Sequence, residues 1–269
     1  MTLRLRQTTE ADRADWGAFV ASRPEADVLQ SWAWGEAGAG EPGEHWSRLV
    51  VVDGGDHIRG AAQVLDRATS FGRTVLYVPH GPVWDRDADD AAEVLARLLT
   101  GLKSHARERC GIVVKFDPRG TGDAASDAAV GRVFGSAGQR AAHDLQAPTT
   151  RLVDLQAGDD PVAGWGKDAR AESRRAVREG TTVVVDRHGD AAVLDVFHAL
   201  LAETSERQGF RIRSRDFLVR LAGPLVASGD WFLALAEHEG TPLAGAIAPR
   251  TGERAYYLYA ASTRDRELA

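Results

Sequence analysis

Apolar and polar positions alternate from Leu3 to Gln7 and predict a strand. Leu49-Val50-Val51-Val52 is an apolar run that a turn through Gly55 joins to Ile58, Gly60, Ala61, Ala62 and Val64, the pattern of an antiparallel hairpin. The same order returns late in the chain: Phe232, Leu233, Leu235 and Ala236, a turn through Gly240, then Leu243, Gly245, Ala246 and Ile247. Each hairpin leads to another β-rich segment, Thr74 to Pro79 in the first copy and Tyr256 to Ala260 in the second. A repeat of this length marks a duplicated domain rather than a solenoid of short units.

Helical spacing fills the intervals. Thr9, with Asp12 three positions on, is placed to cap a helix carrying Trp16, Phe19 and Val20. Val94, Leu95, Leu98, Leu99 and Leu102 form one stripe, and Val193, Leu194, Phe197, Leu200 and Leu201 another. Gly111 introduces the apolar strand Ile112-Val113-Val114, which Asp117-Pro118-Arg119-Gly120 ends as a turn. In the second copy, Thr150 to Leu155 reads as a strand, and Gly158-Asp159-Asp160-Pro161 opens a helix through Arg178. Gly180 stops that helix, and Thr181 to Asp186 is a strand.

The expected fold is therefore α/β (α+β), a mixed sheet with helices on both faces, present in two domains, 1–147 and 148–269. Its element order resembles the acyltransferase fold of the GNAT superfamily. After Tyr256 to Ala260 the chain ends at Ala269, whereas the first copy continues from Asp85 to Leu145. The second domain is expected to lack its last helix and strand, and the unpaired edge to promote self-association.

Composition narrows the partners. Hydrophobic residues make up 43% of the chain, and 33 Lys and Arg stand against 39 Asp and Glu, a net charge of −6. Any contact with nucleic acid or anionic lipid must come from a local patch. Cys110 is the only cysteine, which excludes an internal disulfide and a thiolate metal cluster, and its helical setting predicts a buried small residue. The N-terminus has no apolar signal core and no apolar run is long enough to span a bilayer, so the cytoplasm is the expected compartment.

Four segments carry a family resemblance: Leu29-Gln30-Ser31-Trp32-Ala33-Trp34-Gly35-Glu36; Tyr77-Val78-Pro79-His80-Gly81-Pro82-Val83-Trp84; Ser173-Arg174-Arg175-Ala176-Val177-Arg178-Glu179-Gly180; and Glu203-Thr204-Ser205-Glu206-Arg207-Gln208-Gly209-Phe210 with Arg213. In this order they resemble the FemABX family, aminoacyl-tRNA-dependent transferases that build peptidoglycan cross-bridges on tandem GNAT-like domains. The resemblance implies transfer of an amino acid from tRNA to the stem-peptide amine of a precursor, nucleotide-linked or lipid-linked. It also implies a transient contact with the inner membrane face, no membrane insertion and no cofactor. Three departures stand out. Gly38-Ala39-Gly40 lies where the family usually has a lysine that contacts precursor phosphate. His80 replaces a frequent arginine, and the family's basic C-terminal segment is absent.

The resemblance supplies a precursor-phosphate contact at Arg213, from the family's Gly-Phe-x-x-Arg, where a guanidinium fork suits phosphate oxygens. The alternative is a solvated arginine in a basic turn. Tyr257 and Tyr259 share a strand parity and, through the resemblance, join the substrate-binding set, as does Trp34, whose parity with Trp32 also suits helix packing. Lys167, Arg170, Arg174 and Arg178 recur three or four apart and put four cations on one helical face, which suits a tRNA backbone or a solvated face paired with Asp168, Glu172 and Glu179. His80, on a turn after a strand, is the weak catalytic candidate, a proton acceptor or a structural hydrogen-bonding group.

A tRNA ester is already activated, so its attack by an amine needs positioning and proton removal rather than a covalent enzyme intermediate. No serine elbow and no metal-binding His-Glu-x-x-His occurs, and no metal is expected. The alternatives are an acetyl-coenzyme A-dependent N-acetyltransferase, whose glycine-rich pyrophosphate loop neither copy has, and an inactive fragment or precursor-binding module.

Overall fold

The hairpin of β-branched and small residues forms as the alternation requires. In the computed structural model, which describes residues 2–120, 124–155, 162 and 164–263, β1 (Arg4–Gln7), β2 (Glu44–Val52), β3 (Ile58–Ala68) and β4 (Thr74–Val78) run antiparallel in the order β1-β2-β3-β4. A two-residue β5 (Val83–Trp84) pairs with β3, and β6 (Gly111–Phe116) adds to β4 in parallel.

Successive residues of β2 and β3 face opposite sides, and each side has its own core. Val50, Val52 and Ala61 pack with Trp16 and Val20 of α1 (Arg13–Ala21) and Trp32 of α2 (Trp32–Ala39). Leu49, Val51, Ala62 and Val64 pack with the Val94, Leu95, Leu98 and Leu102 stripe of α3 (Ala91–Glu108). Val130, Val133 and Phe134 of α4 (Ala124–Ala137) close that side.

At the start of α1 the Asp12 carboxylate accepts from Arg6 at 2.6 and 2.9 Å and from the Thr9 amide at 2.7 Å. The Arg6 hydrogen bond, followed by those of Thr9, outweighs burial and holds this carboxyl well below the usual carboxylate range. A folded-state value below the unfolded one gives stability that is complete above the unfolded value and is lost as pH falls toward the folded one. We expect Asp12→Asn to destabilise the fold by about 1.5–3 kcal/mol at pH 7. Urea titrations should find the gap to the parent protein closing on acidification.

The chain divides into two compact units. The first comprises residues 1–146, 216–230 and 249–256, and the second residues 147–215, 231–248 and 257–269. The second unit carries α5 (Lys167–Arg178), β7 (Thr181–Asp186) and α6 (Ala191–Gln208). The Asp190 carboxylate caps α6 by accepting from the Ala192 amide at 2.8 Å, and Gly209, with φ of 73°, ends it. The helix α7 (Arg215–Ala227) packs with the first unit: Phe217 stands edge-on to Trp34, and Arg220 reaches the Ala37 carbonyl and Glu41. Strands β8 (Leu233–His238) and β9 (Thr241–Ile247) return to the second unit. The hairpin of β10 (Arg250–Thr251) and β11 (Arg254–Ala255) belongs to the first, and β12 (Tyr259–Ser262) to the second. Among the described residues the second sheet is antiparallel in the order β7-β8-β9-β12, matching β1-β2-β3-β4.

The duplication is thus present in topology, but the glycines that suggested it are not equivalent. A Cβ on Gly60 would meet Val94 and Leu98 of α3, whereas one on Gly245 would meet Phe197 of α6, which precedes its hairpin as α1 precedes the first. The two glycines lie on opposite faces of their sheets. Three further expectations are corrected. Thr150 to Leu155 has no regular structure, because those residues are exposed and no strand lies beside them to complete their backbone hydrogen bonds. The helix expected to open at 158–161, which lie outside the described residues, begins at Lys167. Cys110 is exposed with φ of 53°, in the tight connection that ends α3 rather than on its buried stripe. Among the described residues no helix is long and apolar enough to cross a membrane.

Candidate functional site

The parallel pairing of β4 with β6, which sets Val78 opposite Phe116, brings the turn after each strand together. The His80 amide donates to Asp117 Oδ1 at 2.7 Å and the Tyr77 hydroxyl to Asp117 Oδ2 at 2.8 Å. A third segment arrives through Asp27, the cap of the 3-10 turn Val28–Gln30. Its Oδ1 accepts from the Leu29 amide at 2.9 Å, and its Oδ2 accepts from His80 Nδ1 and, at 2.9 Å, from Arg119 Nη1. Asp27 is 2% exposed and His80 8%. An acceptor at Nδ1 fixes the proton there and turns the lone pair of a neutral ring to Nε2. Nε2 makes no hydrogen bond among the described residues.

A buried amide lattice holds this turn. Gln30 Nε2 donates to the Pro79 carbonyl at 2.6 Å and its Oε1 accepts from the Gln63 amide at 3.0 Å. Gln63 Nε2 donates to the Leu29 and Ser31 carbonyls, both at 2.9 Å. Arg48 donates to Gln63 Oε1 and lies 3.9 Å from the centre of the Trp32 ring. Burial lowers its guanidinium to about 10. On the other side Arg86, stacked on Trp84, donates to the Arg119 carbonyl at 2.5 Å.

Tyr256 completes the cluster, its ring edge-on to His80 at 6.0 Å and under the Arg119 guanidinium at 5.8 Å. It is delivered by the β10–β11 hairpin, whose Gly252, with φ of 58°, approaches the end of α1 so closely that a Cβ would lie 2.2 Å from the Ala21 carbonyl oxygen. No side chain fits there. Burial, with Asp27 adding to it, pushes the Asp117 carboxyl above the ordinary range despite the donors from Tyr77 and His80. Burial and then Asp117 push the Tyr77 phenol far up, and burial followed by Asp27 raises that of Tyr256. Both phenols are therefore held as neutral hydroxyls, one of them a fixed donor to Asp117. Chemically, the cluster offers a proton acceptor at Nε2, a guanidinium and a phenol.

The other residues expected from sequence are distributed differently. Trp34 is buried and edge-on to Phe217, so hydrophobic packing of α2 with α7 engages the ring. Arg213, Tyr257, Tyr259 and α5 all lie in the second unit. Arg213 is half-buried, and its carbonyl accepts from His198 Nε2 at 3.3 Å. Tyr259 opens β12, but Tyr257 precedes the strand and is 73% exposed, so the two do not share a strand face as expected. Tyr257 borders a groove of about 580 Å³ floored by Ala234, Ala236, Ala244 and Ala246. On α5, which buries no residue, Lys167, Arg174 and Arg178 are exposed and Arg170 is half-buried, while Arg175 pairs with Glu179 at 3.0 Å.

Sequence reading missed Asp27, Asp117, Arg119 and Tyr256. The only signal for Asp117 and Arg119 was the turn after an apolar strand, and it acquires meaning only once β6 is known to lie beside β4.

The FemAB family model matches residues 11–130 and an acetyltransferase (GNAT) domain model matches residues 167–269. The lipid II:glycine glycyltransferase of Staphylococcus aureus strain bovine RF122 / ET3-1 is 28% identical over 229 residues, 82% of this chain and 52% of that protein. The protein of the same name from strain MRSA252 matches equally. The chain therefore spans about half the length of the curated relatives it matches. The crystal structure of FemX superposes with a TM-score of 0.77 at 21% identity, covering 98% of this chain and 81% of that one, which is a likeness of fold. The family's own model thus lies over the first unit and a GNAT model over the second copy, so the chain is similar to the FemAB family.

Proposed function

We propose that this protein transfers an aminoacyl group from aminoacyl-tRNA to the stem-peptide amine of a peptidoglycan precursor. The relatives named lipid II:glycine glycyltransferase support the reaction class. The observation that carries the reading is the buried Asp27–His80 pair, whose Nε2 makes no hydrogen bond among the described residues. In this reading His80 Nε2 takes a proton from the attacking amine as the new amide bond forms. The ester C–O bond then breaks and the ribose oxygen leaves with a proton, so His80 returns to its neutral form. Asp27 keeps the ring oriented and offsets its transient positive charge, the role a carboxylate plays at Nδ1 of a catalytic histidine. Arg119 and the Tyr256 hydroxyl are the other groups of this cluster suited to an acceptor carbonyl or phosphate. In the second unit, Arg213, Tyr257 and Tyr259 are assigned to the precursor, and the face of Lys167, Arg170, Arg174 and Arg178 to the tRNA backbone.

The deciding experiment offers the protein labelled aminoacyl-tRNA with nucleotide-linked and lipid-linked precursors, and separately labelled acetyl-coenzyme A. Labelled amino acid in the precursor is expected. Acetyl transfer with no aminoacyl transfer would overturn the reading. For the helix face, Arg174→Ala with Arg178→Ala should weaken tRNA binding and lower the slope of log affinity against log salt by about two. An unchanged slope returns this face to solvent.

A further inference from the structure

The turn between β3 and β4 carries Phe71 with its side chain almost wholly in water, 99% exposed, at φ of 69° and ψ of 26°. A bulky residue pays in backbone strain for that conformation, and here no internal packing offsets it. Strand register gathers other elements at the same end: Glu44 opposite Arg67, Ala68 opposite Thr74, and Thr74 opposite Gly111, where α3 has just finished. Ile112, 62% exposed, lies there too. The end is also cationic. Arg67 engages Glu44 at 2.9 Å and Arg109 engages the buried Asp66 at 3.1 Å. Arg73 and Arg107, both exposed, make no ion pair among the described residues, and Lys103 lies one turn before Arg107. Glu108 is the exposed acid among them.

We propose that this end docks on an anionic lipid surface, with Phe71 entering the interface and Arg73 and Arg107 meeting headgroup phosphates. A protein partner needs on the order of 800 Å² of complementary surface on each side, which a single projecting tip does not supply. A bilayer accepts one apolar anchor flanked by cations whose stems lie along the interface. The inference rests on the peptidoglycan-precursor reading above and deepens it, because a protein held by this end meets a lipid-linked acceptor at the membrane.

The test is co-sedimentation with vesicles of equal parts phosphatidylglycerol and phosphatidylcholine, and with phosphatidylcholine alone. Binding is expected to the anionic vesicles only and to weaken with salt. Phe71→Ser should weaken it about tenfold, and Arg73→Ala and Arg107→Ala about fivefold each. Melting temperature and transfer to a soluble nucleotide-linked acceptor should be unchanged in all three variants. Absence of vesicle binding by the unaltered protein, or equal binding by Phe71→Ser, overturns the proposal. So does concentration-dependent self-association that Phe71→Ser abolishes, which would assign the tip to a second copy. Transfer to the soluble acceptor without vesicle binding would sink the docking alone, and vesicle binding without transfer to either acceptor would sink the transferase reading alone.

Discussion

Asp27→Ala is expected to destabilise the protein by about 3–5 kcal/mol, the usual cost of removing one partner from a buried ionic cluster. Three donors converge on this carboxylate: the Leu29 amide, His80 Nδ1 and Arg119 Nη1. Alanine leaves a guanidinium and an imidazole N–H without their acceptor at a site where Asp27 is 2% exposed. The loss also unties three segments, the turn before α2, the turn after β4 and the turn after β6. Asp27→Asn keeps the volume and an acceptor for Leu29 but not the charge opposite Arg119, so it should fall between parent and alanine. Denaturant titration measures all three. An alanine variant as stable as the parent would mean that Asp27 is not the ionic centre of this site.

Much of the fold is legible in the sequence because periodicity reports burial directly. The alternation around Val50 and Ala61 is the interior of a two-faced sheet, and the Leu95, Leu98, Leu102 stripe is the buried side of α3. What periodicity cannot report is which element a face meets. Gly60 and Gly245 have similar neighbours in sequence yet touch α3 and α6, on opposite sides of their sheets. Nor does amphipathicity show that α7, between two elements of the second unit, packs with the first through Phe217 and Arg220. The site suffers most from this limit. Tyr256 and Tyr257 are adjacent, and the family resemblance selects Tyr257, but the strand begins at Tyr259 and the chain divides between the two tyrosines, sending Tyr256 to His80. The local context of His80 could equally be a structural turn, and only the arrival of Asp27 and Asp117 from distant positions gives the ring its orientation.

His80→Gln should lower kcat for aminoacyl transfer by about 100- to 10,000-fold, the range that general-base assistance contributes. Glutamine can keep a polar contact with Asp27 without accepting the proton of an attacking amine, so KM for either substrate should change far less than kcat. Thermal melting of the same variant separates the two contributions, since damage to the turn lowers stability and loss of the base does not. A His80→Gln protein with parental kcat would remove His80 from the chemistry and leave it as the pin between Asp27 and the β4 turn.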